Sequence, residues 1–353
     1  MSLSIRSLRL RQVGLFQTSI RPSLQTNLTD TLPQFLYSPT TNTNTNPISK
    51  LHTSPTMSST SQQRADAEKL INRNPHRDFK FVEASRSPWD DSKSWTVTQT
   101  VSPSWKLGSG ANDHGTSLKI PHIEIDPYEE GRPAVYNYKL LISSIIPRPI
   151  GFVSTRSADG TSTNLAPFSY FNMINHDPPL FVLGYAGGLD NAKDSLRNLK
   201  ETRECTINII SEHFLEAANA TSINAPYGES EWAFSGLTPA SCTTVKASRV
   251  QEAHFSVEGK LESLKEFESK ATPGKKTGVL AVIEGTRFWV RENAINEEKN
   301  IVDPAVLKPI SRLGGITYGR TTEGIELPRP DYETVVEKDE EAKKLVKAKL
   351  ENQ

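Results

Sequence analysis

The sequence predicts a mainly β fold, an antiparallel barrel or sandwich with a few helices, and not a doubly wound sheet. Three observations carry that expectation. Short apolar, β-branched runs recur between residues 150 and 290. Turn residues separate them, and few of the intervening stretches have helical spacing. Roughly residues 130–330 form the folded part, which is ample for one core.

The elements follow in order. Ile150 to Thr155 reads as a strand, opened by Pro147 and Pro149, and Ser157-Ala-Asp-Gly160 as a hairpin turn. Leu180 to Tyr185 is a second strand, after Asp177-Pro178-Pro179. Asp190 to Thr202 reads as a helix capped by Asp190 or Asn191, with Leu196, Leu199 and Arg203 at helical spacing. Cys205 to Ile210 is a strand and Glu212 to Ala220 a short helix. His254 to Leu261 and Val279 to Gly285 are strands, and Thr286 to Val290 continues the latter. Thr272 to Gly278 lacks the first glycine of a phosphate loop and reads as a loop between two strands. Residues 331–353, dense in Glu and Lys, form a charged C-terminal tail, either a solvated helix or a frayed end.

The N-terminus differs in kind. Residues 1–65 carry one acidic residue, Asp30, against Arg6, Arg9, Arg11, Arg21, Lys50 and Arg64. That Arg-rich, Ser-rich, acid-poor stretch has the composition of a mitochondrial transit peptide; the alternative is an untargeted disordered tail. From Asn27 to Thr60, Ser, Thr, Asn and Pro leave too little apolar surface to offset ordering entropy. Met57 is a second candidate start, which would leave the protein cytoplasmic. Residues 66–130 are polar with scattered aromatics (Phe79, Phe81, Trp89, Trp95, Trp105) and read either as an extension packing on the barrel or as a flexible linker. The expected division is therefore 1–65, 66–130, 131–330 and 331–353.

Composition narrows the function. Lys+Arg 41 against Asp+Glu 41 argues against a broad nucleic-acid or anionic-membrane footprint. Two cysteines without C-x-x-C spacing form no disulfide framework and fit a reducing compartment. There is no nucleophile elbow, no H-E-x-x-H, and no histidine spacing that suits a metal. Three features remain. Pro147-Arg148-Pro149 leads into the first strand. Asn164-Leu-Ala-Pro-Phe-Ser-Tyr-Phe171 offers main-chain groups to the rim of a planar heterocycle. Lys193-Asp194-Ser195 lies at a helix start, where N–H groups, a cation and a hydroxyl suit a phosphate. Arg312-Leu-Gly-Gly315 with Tyr318 adds a guanidinium.

In this order, P-R-P-I-G-F-V-S-T, N-L-A-P-F-S-Y-F-N, D-P-P, K-D-S and R-L-G-G resemble the flavin reductase-like FMN-binding split-barrel family, from Val135 to Arg320. The resemblance implies a six-stranded antiparallel split barrel, a homodimer, and FMN near the subunit interface. It places Arg148, Ser154 and Thr155 beside the flavin. Asn164, Leu165, Ala166 and Pro167 would line the ring, with Ser169 and Phe171 along the same wall. Lys193, Asp194 and Ser195 would meet the phosphate and Arg312 would close the site. Ser195 stands where threonine is common in the family, and residues 1–130 and the tail are additional to its simplest members. The implied activity is an NAD(P)H-dependent, flavin reductase-like oxidation–reduction of a small molecule, with hydride passing from nicotinamide to flavin N5. The alternatives are an FMN carrier or sensor without turnover, and a barrel interaction module without cofactor. His176, His213 and Tyr170 are candidate proton donors, and no catalytic residue is assigned.

Overall fold

The computed structural model describes residues 74–351. The transit-like segment 1–65 and the start at Met57 lie outside the described residues. In chain order the first elements are helix α1 (Phe79–Ala84), strand β1 (Thr96–Thr98) and helix α2 (Ala134–Ser144). Strands β2 (Gly151–Arg156), β3 (Thr163–Phe168), β4 (Phe171–His176) and β5 (Pro179–Ala186) follow, then helix α3 (Asp194–Thr202), strand β6 (Glu204–Ile209) and helices α4 (Leu215–Ala220) and α5 (Glu231–Ser235). Short strands β7 (Pro239–Ala240) and β8 (Arg249–Val250) precede the long hairpin of β9 (Phe255–Glu268) and β10 (Lys276–Val290). Helix α6 (Pro304–Leu307), strands β11 (Ile310–Arg312), β12 (Tyr318–Arg320) and β13 (Glu323–Ile325), and helix α7 (Glu340–Leu350) complete the chain.

One antiparallel sheet dominates, in the order β3-β2-β6-β9-β10-β5-β4. Its two outer strands are consecutive in the chain. They meet at the corner Ser169–Tyr170, where the Gly184 N–H of β5 donates to the Tyr170 carbonyl at 2.7 Å. Phe168 of β3 also lies edge-on to Tyr185 of β5, with centroids 4.8 Å apart. The sheet thus closes on itself into a split barrel. It has seven strands where the resemblance implies six. Strands β3 and β4 are one run broken by the corner, and counted as one they restore that number. Gly184 is needed there, because a Cβ on it would lie 2.8 Å from the Tyr170 Cβ.

The barrel interior follows from the period-two alternation of its strands. Val153, Leu183, Tyr185, Ile207, Val257, Ala281 and Ile283 point inward, and Leu196 and Leu199 of α3 plug one end. Gly259 keeps β9 close to β10, since a Cβ would sit 2.5 Å from Ile283. A second apolar cluster lies on the outer face, where Phe152, Leu165 and Ile210 pack against Phe214, Ala218 and Trp232. Cys205 is buried in the barrel, and burial pushes its thiol up to about 12. It is a core thiol and not a nucleophile.

Several expectations are corrected in detail. The helix expected from Asp190 begins at Asp194: residues 189–191 form a 3-10 turn, Ala192 is extended, and Lys193 takes the N-cap position with no side-chain cap. Strand β9 runs to Glu268, well beyond the predicted 254–261, and β10 starts at Lys276, ahead of the predicted 279–290, the two enclosing the loop 269–275. Residues 163–176, read only as a motif, are strands, and α2 and α5 lack a sequence expectation altogether.

The flanking segments attach differently. Strand β1 pairs in parallel with β13, Thr96 opposite Glu323. The Arg320 guanidinium lies 3.9 Å from the Trp89 ring centroid and donates to the carbonyls of Asp90 and Lys93 at 3.1 and 3.3 Å. In the tail, Asp339 caps α7, its carboxylate accepting from the Glu341 and Ala342 N–H groups. Lys349 of α7 donates to the Gly108 carbonyl at 2.6 Å.

Candidate functional site

The site is built where β2, β3, α3 and α5 meet. Strand β3 is an edge strand, paired on one side with β2 so that Asn164 faces Thr155, Leu165 faces Ser154 and Ala166 faces Val153. The Leu165 N–H donates to Glu231 Oε2 at 3.1 Å instead of to β2. Residues 163, 165 and 167 therefore turn their main-chain groups outward. Pro167 has no N–H to present, as suits an edge. At Leu165 α5 covers this edge, and Leu165 is fully buried; the partly exposed stretch beyond it presents the Pro167 carbonyl and no N–H.

Asn164 joins this edge to α3. Its carboxamide nitrogen donates to Glu231 Oε2 at 2.6 Å, and its oxygen accepts the Ser195 hydroxyl. Asn164, Ser195 and Glu231 are all buried. The α3 helix thus starts beside β3, with Lys193 and Asp194 at its head, and its first-turn N–H groups lack intrahelical acceptors. The Ser195 hydroxyl has one proton, which it gives to Asn164. In this arrangement a phosphate would meet α3 N–H groups and the Lys193 ammonium, and not a Ser195 donor. Asn198, one turn on, donates to Thr155 Oγ1 at 3.2 Å. Among the described residues, Ser154 Oγ and Asn198 Oδ1 are buried without hydrogen-bond partners.

Arg148 and Arg312 lie beyond the other end of β2. They are bridged main chain to main chain, at 3.0 and 2.9 Å. The Arg148 guanidinium is buried and donates to the carbonyls of Ile142, Ile145 and Leu313, closing the C-terminus of α2. The Arg312 guanidinium donates to Gly315 O at 2.7 Å and stacks on Tyr318. At about 3.3 Å per residue, Arg148 stands roughly 20 Å along the chain from Thr155. The structure therefore groups Ser154, Thr155, Asn164, Leu165, Ala166, Pro167, Lys193, Asp194 and Ser195 at one place and sets the two arginines apart. Between them, Ser169 forms the barrel corner and Phe171 stacks on Phe181 at 6.2 Å.

The candidate proton donors fall in three places. Tyr170, at the corner, is half-buried; burial raises its phenol, as does nearby Tyr138, while Arg148 opposes them. His176 is exposed at the end of β4. His213 packs edge-on against His254, 5.1 Å between centroids, on the outer face near α4. Among the described residues no group of three or more His, Cys, Asp or Glu is arranged to hold a metal. No described helix is long and apolar enough to cross a membrane.

A closed antiparallel barrel with a helix-headed acceptor edge defines the class, and comparison with known proteins defines the family. The model of the "Flavin reductase like domain" matches residues 143–308. An uncharacterised protein of Aquifex aeolicus is 37% identical over 183 residues, 51% of this chain and 88% of its own length. YwrF of Bacillus subtilis is 34% identical over 193 residues, covering 55% of this chain and 93% of its own. Among solved structures, nitrilotriacetate monooxygenase component B from Bacillus cereus is 33% identical with a TM-score of 0.54, covering 59% of this chain and all of its own. The 2-nitrobenzoate 2-nitroreductase NbaA of Pseudomonas fluorescens is 30% identical with a TM-score of 0.52, covering 60% of this chain and 98% of its own. The chain belongs to the flavin reductase-like split-barrel family, a family of flavin-related oxidoreductases.

The donor set fits a phosphorylated flavin. A helix start with a lysine suits the phosphate, the partly exposed Pro167 carbonyl of β3 suits a ring N–H, and the orphaned buried atoms Ser154 Oγ and Asn198 Oδ1 sit on β2 and α3, the elements that carry the site. Glu231, which ties these together, had no place in the sequence expectation. Its signal was weak: a single acid between Ser230 and Trp232, in a stretch with no motif.

Proposed function

We propose that this chain binds FMN between β3 and the head of α3 and acts as an NAD(P)H-dependent, flavin reductase-like oxidoreductase. The observation that carries the reading is the Asn164–Ser195 hydrogen bond. It makes one site of two motifs 31 residues apart. Bound FMN would supply the chemistry, taking hydride from a nicotinamide and passing electrons to a small-molecule acceptor. The chain's part is positioning. The Pro167 carbonyl orients the ring edge, α3 and Lys193 hold the phosphate, and the apolar wall from Phe168 to Phe171 excludes water.

A second copy of the chain is the expected partner. Tyr136, Leu140, Leu141 and Ile145 of α2 and its C-cap, with Met173 and Ile174 of β4, are exposed apolar residues that a second copy could cover. The Arg-rich N-terminus supports a mitochondrial address for the form that starts at Met1, and the form from Met57 would remain cytoplasmic.

The experiment is an anaerobic absorbance titration. Protein loaded with FMN is expected to lose its flavin absorbance on addition of NADH or NADPH. A flavin spectrum that persists with both donors would remove the reductase reading and leave FMN binding without nicotinamide turnover.

A further inference from the structure

We propose that Glu231 is a positioning residue for the flavin site, setting the hydrogen-bond polarity of the Asn164–Ser195 pair that joins the ring edge to the phosphate end. The inference rests on the FMN reading above.

An ionised carboxylate only accepts, whereas a carboxamide can present either end. Glu231 is buried on α5, and its Oε2 accepts both the Asn164 carboxamide N–H, at 2.6 Å, and the Leu165 N–H, at 3.1 Å. With Glu231 as acceptor, Asn164 must turn its nitrogen toward α5 and its oxygen toward α3. That oxygen then accepts the Ser195 proton. The relay runs one way, from Ser195 to Asn164 to Glu231. Its neighbour Ser230 reinforces the docking of α5 through a hydroxyl contact with Thr163 at 2.9 Å.

Two consequences concern ligand binding. The Leu165 N–H, the one main-chain donor that β3 directs outward between 164 and 167, is taken up by Glu231, so the partly exposed edge beyond it offers the Pro167 carbonyl to a ring N–H. The Ser195 oxygen keeps its lone pairs but not its proton for the site, so the α3 N–H groups face the phosphate without competition from that hydroxyl. Without the carboxylate, Asn164 is free to flip, and the Leu165 N–H becomes a buried, unpaired donor.

The test uses full-length protein and FMN titration followed by quenching of flavin fluorescence, with melting of the flavin-free protein measured in parallel. Glu231→Ala is expected to weaken FMN binding by about tenfold or more, since a charge-assisted buried acceptor is lost. Glu231→Gln keeps one carbonyl acceptor and should stay within about threefold of wild type. Asn164→Asp alone sets two carboxylates together and should abolish binding. Combined with Glu231→Gln it should regain it. The amide introduced at position 231 then donates to the carboxylate introduced at position 164, which still accepts from Ser195; the recovery is partial, because the same amide nitrogen cannot accept from the Leu165 N–H. The double variant keeps the test decisive if Glu231→Ala does not fold. The inference is overturned if Glu231→Ala lowers the melting temperature yet binds FMN as tightly as wild type, or if the double variant folds without regaining affinity. If wild-type protein binds no FMN, the functional reading itself falls, and this inference with it.

Discussion

The barrel and the segments that flank it are held by different forces. Inside the barrel, buried Val, Leu and Ile side chains from β2, β5, β6, β9 and β10 pack around Leu196 and Leu199. Before α2 reaches Ile142, no described residue is buried. Residues 74–130 attach by a three-residue parallel pairing, by the Arg320 clasp, and by contacts of Gly108 with α7. The barrel therefore has a core of its own, and the extension borrows its order from the barrel's surface. Two relatives that match along 88% and 93% of their own lengths cover only 51% and 55% of this chain.

The largest effect is expected in the barrel. Leu183→Ala opens a cavity at a fully buried position and should cost about 2–5 kcal/mol, read as a fall in the denaturant midpoint. Stability that survived this change intact would mean that the barrel interior is not the core of the molecule.

Next in size is a pH effect at Glu258, buried on β9. Burial pushes its carboxyl up, but donation from the Thr244 hydroxyl, the Thr243 and Thr244 N–H groups and the Trp289 indole outweighs this and holds it at about 2. The folded value lies below the unfolded one, so this group stabilises the barrel above about pH 4.5. That contribution, on the order of 3 kcal/mol, is lost as pH falls from there through about 2. Urea melts across that range should show a smaller pH slope for Glu258→Gln than for wild type; equal slopes would refute the assignment.

Arg320→Ala should act mainly on the extension. It removes the Trp89 and main-chain contacts together with the paired Glu212 carboxylate at 2.7 Å. Faster proteolysis within 74–130 is expected, with a loss of about 1–2 kcal/mol from the barrel. Smallest of all, Leu118→Ala, 89% exposed in the extension, should fall within about 0.5 kcal/mol of wild type. A larger change there would show that the extension has a packed partner.

The contrast also explains what the sequence disclosed. Cys205–Ile210, buried on both faces, was legible because such burial demands continuous apolar, β-branched residues, and Leu180–Tyr185 because its partly exposed face is apolar as well. Helix α2 was not, because Tyr136, Leu140, Leu141 and Ile145 point outward and erase the amphipathic pattern. The last residues of β9 and the first of β10 extend past the core, where polar residues such as Lys265, Glu266 and Lys276 suffice. Strand β3 was hidden by Pro167, which only an edge tolerates. The site residues were legible as motifs, and their grouping was not. Nothing in the spacing shows that Asn164 meets Ser195 through a bond that Glu231 orients, or that Arg148 closes the end of α2.

The most direct test of the central claim, one flavin site spanning the β3 edge and the head of α3, is to titrate the full chain with FMN and with riboflavin, which differ only in the phosphate. The account predicts saturable binding of one FMN per chain and markedly weaker binding of riboflavin, with the difference shrinking as salt screens Lys193 and α3. Equal affinity for the two flavins, or no saturable binding of either, would contradict it.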